Sequence, residues 1–244
     1  MRKLINLKDA TTKEILAFSL LPFGMYTFLS IMTTSLNFYL TDVLKLTPLL
    51  VGFVLFGTKF WDAINDPMMG AIVERTRNKN GKCRPYLLWM TLPLVLCTIL
   101  LYLPIAEMPY FQRGMATTDG TAGEYRRFIY VFIMYSLFYV AYTGIEIPFN
   151  GLAPLVFPEN EKRVKAISWS NIVGSIGTVL PSILFFVFVD IWKDQKSYGS
   201  FLGAVIFSIM GGVFIYWSFF GIKEKIYLPP KKAEFKKMSE NRLR

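Results

Sequence analysis

Histidine is absent from the 244 residues. No imidazole is available as a metal ligand or as half of an acid–base pair. Only two cysteines occur, Cys83 in a basic loop and Cys97 in an apolar run. Their separation and settings suggest neither a disulfide nor a metal site. Without histidine, and with two isolated thiols, no nucleophile–base constellation is visible. The chain therefore does not read as an enzyme, and it implies no cofactor. Charge is scarce too: 18% of residues are charged, against 53% hydrophobic and 16% aromatic. That balance excludes an ordinary soluble domain and reads as a polytopic membrane protein. A net charge of +10 raises nucleic acid as a partner. The basic residues, however, collect in short segments between apolar runs, which argues against nucleic acid and for a lipid bilayer. The first apolar run lacks a small-residue cleavage pattern and is long enough to span, so no cleavable signal peptide is evident.

What is present is a series of apolar runs. Residues 1–14 are polar and basic. Six spans follow, at about 15–40, 49–73, 85–106, 128–156, 166–189 and 199–221, each near the roughly 20 residues that cross a bilayer. Residues 222–244 form a Lys-rich tail. The expected organisation is an N-terminal segment (1–14), a six-helix bundle (15–221) and a basic tail (222–244). The 107–127 segment is polar, rich in Gly and Thr, and without apolar periodicity. With both termini on one side, twenty of the 27 basic residues fall on that side, six on the other, and Lys59 within the membrane. The positive-inside rule then places both termini in the cytoplasm of a multi-pass protein of the cell (inner or plasma) membrane.

The second span is unlike the others. Lys59-Phe-Trp-Asp-Ala-Ile-Asn-Asp-Pro67 puts three charges and an amide into an apolar helix. At about 100° per residue, Lys59 and Asp66 lie roughly 20° apart, with Asp62 about 60° to the side. Asn65 sits on the far flank of Asp62. A charge at the bilayer centre costs roughly 2.5–3.5 kcal/mol, so such groups face protein or water and pair. One reading is a buried Lys–Asp pair locking two helices together. The other is a cation site. One further carboxylate lies within a span: Glu146, in Tyr142-Thr-Gly-Ile-Glu-Ile-Pro-Phe-Asn150. Pro148 and Gly144 predict a local break or bend there, of the kind tolerated where a helix lines a cavity. Glu146 and Asn150 share a face and can hydrogen-bond a polar solute. Glu146 can equally serve only to pair with Lys59 across the bundle.

The stretch Asp62-Ala-Ile-Asn-Asp66-Pro67, with Gly70, Arg75-Thr-Arg77 and Gly81-Lys-Cys-Arg84-Pro85, resembles the signature of the glycoside–pentoside–hexuronide:cation symporters. These form the melibiose-permease-like branch of the major facilitator superfamily. Thr41-Asp42-Val43 and Glu146-Ile-Pro-Phe149 also resemble that family, and the similarity covers nearly the whole chain. The resemblance implies an all-α membrane fold in which this chain is the N-terminal six-helix half of a twelve-span transporter. It implies a sodium, lithium or proton site made by Asp62, Asn65, Asp66 and Thr143, with Asp62 and Asp66 holding a monovalent cation. Hard cations want such oxygen ligands. Lys59 matches the family's basic residue one turn earlier and would balance charge.

The solute side departs from the pattern. Glu146 stands where the family has an aspartate on helix four, and Asn150 where it has a tryptophan. Tyr26 aligns with an aspartate on helix one. The family's arginine on helix five aligns near Ser170 or Asn171. The candidate substrate-binding residues are therefore Tyr26, Tyr142, Glu146 and Asn150, in an altered pocket. The expected function is sodium- or proton-coupled symport of a sugar or related organic solute, together with a second six-helix half. The alternative is a non-transporting or truncated membrane subunit that binds a partner half.

Overall fold

The computed structural model describes residues 12–76, 78, 81–112, 121–192 and 195–225. Most of the expected N-terminal segment and basic tail, with Arg77, Lys79 and the 113–120 loop, lies outside the described residues. Among the described residues the fold has six long helices: α1 (Thr12–Val43), α2 (Pro48–Arg75), α3 (Arg84–Leu101), α4 (Thr121–Val156), α5 (Asn160–Ile191) and α6 (Lys196–Gly221). Among the described residues no strand forms, only an isolated bridge between Asn78 and Gly81. Within a hydrocarbon slab the backbone must satisfy its own polar groups, and a helix does so within one segment. Five of the helices are long and apolar enough to cross a membrane. The exception is α2, whose 28 residues suffice in length but whose apolar run is interrupted by Lys59, Asp62 and Asp66.

Helix ends differ from the sequence-based limits in an instructive way. The α4 helix begins at Thr121, inside the segment expected to be loop, and α5 begins at Asn160, inside an expected charged loop. The 36 residues of α4 rise about 54 Å, well beyond a hydrocarbon core of about 30 Å. Apolar composition marks the slab, whereas hydrogen bonding carries the helix on into water. The expected break near Pro148 is absent: α4 runs unbroken through both Pro148 and Pro154. Pro148 removes only the helical donor to the Gly144 carbonyl, and a buried turn survives one such loss when neighbours brace it. The irregularity lies in α1 instead, as two π-turns at Ile31–Ser35 and Tyr39–Val43. The Ile31 carbonyl there accepts from both the Ser35 hydroxyl (2.7 Å) and the Tyr102 hydroxyl (3.1 Å).

Helix α1 packs against α5 and α6, α3 against α4 and α6, and α2 mainly against α4. Helices α1 and α4 meet only lightly, with Phe18 stacked on Phe149 and edge-on to Phe157. Tyr26 of α1 and Tyr142 of α4 interact electrostatically with one another further along the two helices.

The end of the bundle near the α2–α3 loop is tied together by the residues that follow α6. The Glu224 carboxylate accepts backbone N–H bonds from Lys82 (2.8 Å), Cys83 (2.8 Å) and Arg84 (2.9 Å), capping the start of α3. Gly81 has φ +111°, and a Cβ there would sit 2.5–2.7 Å from that carboxylate. Lys225 pairs with Glu14 at 2.8 Å, and its N–H reaches the Leu155 carbonyl at 2.9 Å. One short segment thus joins the ends of α1, α3, α4 and α6. Cys83 is buried beneath it, and burial, with the Glu224 carboxylate second and Lys82 opposing, pushes its thiol pKa up to about 12. The thiol is therefore protonated at neutral pH and thiolate forms only as pH climbs toward that value. Replacing Glu224 by alanine should lower stability by about 2 kcal/mol, since three backbone donors lose a charged acceptor. It should also turn Cys83 from resistant to reactive toward maleimide at pH 7.5. Thermal unfolding and timed alkylation of the two proteins check this.

Candidate functional site

The chemistry of α2 follows from how little of it is covered. Its buried residues are Val51, Val54, Thr58, Asn65, Met69 and Val73, a single stripe facing α4. Asn65 lies within that stripe. Asp62 and Asp66 sit at its edge, half-buried, one turn apart. Lys59 stands further out, with its side chain 60% exposed against 21% for Asp62. This arrangement keeps the carboxylates against protein while leaving them open on one side, which lowers the penalty for charge in an apolar span.

Helix α4 answers this row with its own. The Thr143 hydroxyl, fully buried, donates to Asp62 Oδ1 at 3.2 Å. The Lys59 Nζ lies 3.5 Å from Asp62 Oδ2 and 4.4 Å from the centroid of the Tyr139 ring. The Tyr139 hydroxyl in turn meets the Tyr135 hydroxyl at 3.1 Å. Tyr135, Tyr139 and Thr143 are spaced four apart and form one line up α4, so two helical faces are in register. Pro67 and Pro148 remove the helical donors to the Ala63 and Gly144 carbonyls, two backbone oxygens close in sequence to these side chains.

Glu146 is half-buried one turn beyond Tyr142 and interacts electrostatically with Asp66, Asp62 and, more weakly, Lys59. The Tyr142 phenol is buried, stacks on Phe138 at 5.9 Å and feels the charges or dipoles of Glu146, Tyr26, Tyr139 and Asp62. Tyr26 reaches this region from α1. Its ring lies against Gly174 of α5, where a Cβ would stand 2.8 Å from two ring carbons. Asn150 is exposed, one turn further along α4. Of the seven buried side-chain polar atoms without a hydrogen-bond partner among the described residues, two belong to this site: the Asn65 amide nitrogen and the Tyr142 hydroxyl. Buried polar groups are rarely left so without a ligand or ordered water to serve.

The bland alternatives for these charges do not match the geometry. Lys59 pairs with Asp62 within its own helix rather than locking two helices, and it is exposed rather than buried. Glu146 does not form an ion pair with Lys59; the partner at 3.5 Å is Asp62. Tyr139 is a site neighbour that the sequence reading passed over. Its signal was available, since it stands four residues before Thr143 on the same helical face. Among the described residues no cluster of three or more His, Cys, Asp and Glu forms a multivalent metal centre. Two carboxylates with neutral oxygens beside them suit a single small charge instead.

A bundle of long apolar helices with one row of charges at its edge marks a multi-pass membrane protein. Residues 17–243 match the family described as MFS/sugar transport protein, and the chain belongs to that family. Among its relatives are the inner membrane symporter YicJ of Escherichia coli (strain K12), 28% identical over 79% of this chain and 39% of the relative. The isoprimeverose transporter of Lactiplantibacillus pentosus is 23% identical over 87% of this chain and 42% of the relative. The sodium-dependent lysophosphatidylcholine symporter 1 of Mus musculus is 29% identical over 59% of this chain and 25% of the relative. The chain spans about two fifths of the length of the bacterial relatives it matches.

The cross-helix contact can be measured without any ligand. Thr143→Val and Asp62→Ala, alone and combined, should show a coupling of about 1.5–3 kcal/mol in thermal or chemical unfolding, the worth of a hydrogen bond to a charged group. Additive single effects would mean that the two side chains do not meet.

Proposed function

We propose that the chain is the cation-binding six-helix half of a transporter that couples a monovalent cation, sodium or proton, to symport of a sugar or related organic solute. All six long helices, α2 included, cross the membrane, with residues 1–14 and the 222–244 tail in the cytoplasm. A second six-helix half closes the cavity between α1 and α4. Asp62 and Asp66 bind the cation, Asn65 and Thr143 complete its oxygen shell, and Lys59 balances one of the two carboxylates. The observation that carries this reading is the Thr143–Asp62 hydrogen bond, because it aligns α2 and α4 at the charged row. Two carboxylates one turn apart repel unless a cation or proton joins them. An asparagine amide offers an oxygen as readily as a nitrogen, so Asn65 can serve as a neutral ligand once a cation is present.

The solute is assigned to Tyr26, Tyr142, Glu146 and Asn150. The unpartnered Tyr142 hydroxyl and the half-buried Glu146 supply a donor and an acceptor, as hydroxyl-rich solutes require. Linkage then makes the two sites help one another: cation near Glu146 lowers the repulsion the solute site feels, and bound solute returns the same free energy to the cation. A relative named as a glycoside/cation symporter and another named as an isoprimeverose transporter favour a sugar. A rival reading is a membrane subunit that binds a partner half and moves nothing. It would retain the partner contact and lose cation-dependent binding.

The decisive experiment measures binding of a sugar panel against sodium concentration, and at two pH values, for the chain assembled with its second half. Asp62→Cys and Asp66→Cys should each abolish cation stimulation. Glu146→Gln should weaken solute binding while leaving cation binding in place. Aspartate variants that keep the original sodium dependence would remove the cation site from α2. Orientation is checked separately: Lys165→Cys should react with an impermeant thiol reagent only in inverted vesicles, and Asp190→Cys only in intact cells. Both positions are exposed, and the buried Cys83 gives a low background.

A further inference from the structure

Lys59 and a coupling cation want the same place. Both are attracted to Asp62, and the ammonium is tethered one turn away on the same helix. A free ammonium–carboxylate pair closes to about 2.7–2.9 Å. Here the separation is 3.5 Å, and the ammonium instead lies over the face of the Tyr139 ring, 4.4 Å from its centroid. Tyr139 is 2% exposed, so the ring is fixed in place by the bundle and does not follow the lysine. It is held further by the bond between its hydroxyl and that of Tyr135. The other oxygen of Asp62 is occupied by Thr143, which stands one turn along α4 from Tyr139. A rigid aromatic face therefore competes with a carboxylate for one mobile ammonium.

We propose that Tyr139 is a positioning residue that acts through Lys59: its ring draws the ammonium off Asp62 and so keeps the carboxylate pair accessible to the coupling cation. The inference rests on the cation-site reading of Asp62 and Asp66. It adds a cause for the apparent affinity of that site. Without the ring, the ammonium settles on Asp62 and becomes a built-in competitor. With the ring, it balances charge from the side. The line Tyr135–Tyr139–Thr143 then has a division of labour: the threonine orients one oxygen of Asp62 while the tyrosine restrains the cation beside the other.

The test reads sodium-dependent thermal stabilisation of the purified chain assembled with its second half, with sodium chloride as the probe and choline chloride as the control. Tyr139→Leu should raise the half-saturating sodium concentration about five-fold. Tyr139→Phe should leave it near the wild-type value, because the ring face remains while the hydroxyl, with its bond to Tyr135 and its polar contact to Lys59, is lost. In a Lys59→Ala background, Tyr139→Leu should have no effect on the sodium dependence, since no ammonium remains to be held. A purely structural tyrosine would shift both backgrounds alike, and that result overturns the proposal. If the leucine variant does not fold, phenylalanine with one, two and three ring fluorines at position 139 replaces it. The half-saturating concentration should climb with each fluorine as the ring face loses its negative potential; a flat series overturns the proposal. A wild-type chain with no sodium response would strike at the cation-site reading itself. An intact wild-type response with additive Tyr139 and Lys59 effects would strike at Tyr139 alone.

Discussion

Charge inside an apolar helix is the constraint on which this structure turns. Lys59, Asp62 and Asp66 interrupt the apolar run of α2, and each needs protein, water or an opposite charge beside it. The bundle meets that need without burying the charges. The Asp62 carboxylate is held between a hydroxyl of α4 on one oxygen and the ammonium of its own helix on the other. The stripe that α2 buries is only six residues deep and ends with the carboxylates at its margin. Full burial would have neutralised or expelled them.

The remaining helices supply a frame around this edge. Helices α1, α5 and α6 pack closely, and small residues let their backbones approach as far as they do. At one end Glu224 and Lys225 fasten α3, α1 and α4 to the close of α6. Helix α2 by contrast leans mainly on α4. The well-braced part of the molecule thus lies away from the charges, and the lightly covered part carries them. Such a division suits a protein whose helices rearrange about a fixed site, because motion concentrates where few contacts must be broken.

The solute side follows from the same economy of polar groups. Glu146 shares the electrostatic field of Asp62 and Asp66, so the charge state of the α2 carboxylates is felt on α4. Where the resembled family carries an aspartate on its first helix, this chain has Tyr26, packed into the space left by Gly174. A phenol in place of a carboxylate trades an ionic contact for an apolar face with a polar tip.

The sequence by itself determined a good deal. Composition settled the membrane class, because so few charges and so many apolar runs cannot remain dispersed in water. Helical periodicity alone put Lys59, Asp62 and Asp66 on one side of α2, since spacing of three, four and seven is a property of any helix. The motif around Asp62 pointed to the family that residues 17–243 match. Tertiary structure decided what periodicity cannot, namely which face of one helix meets which face of another. It paired Lys59 with Asp62 and Tyr139 rather than with Glu146, and set Thr143 on Asp62. It carried α4 without a break through Pro148 and put the irregular turns into α1, where no proline falls within either π-turn. The reason is the same in each case. A local signal such as proline, or a run of apolar residues, sets the cost of a conformation, while contacts between residues far apart in the chain determine whether that cost is met.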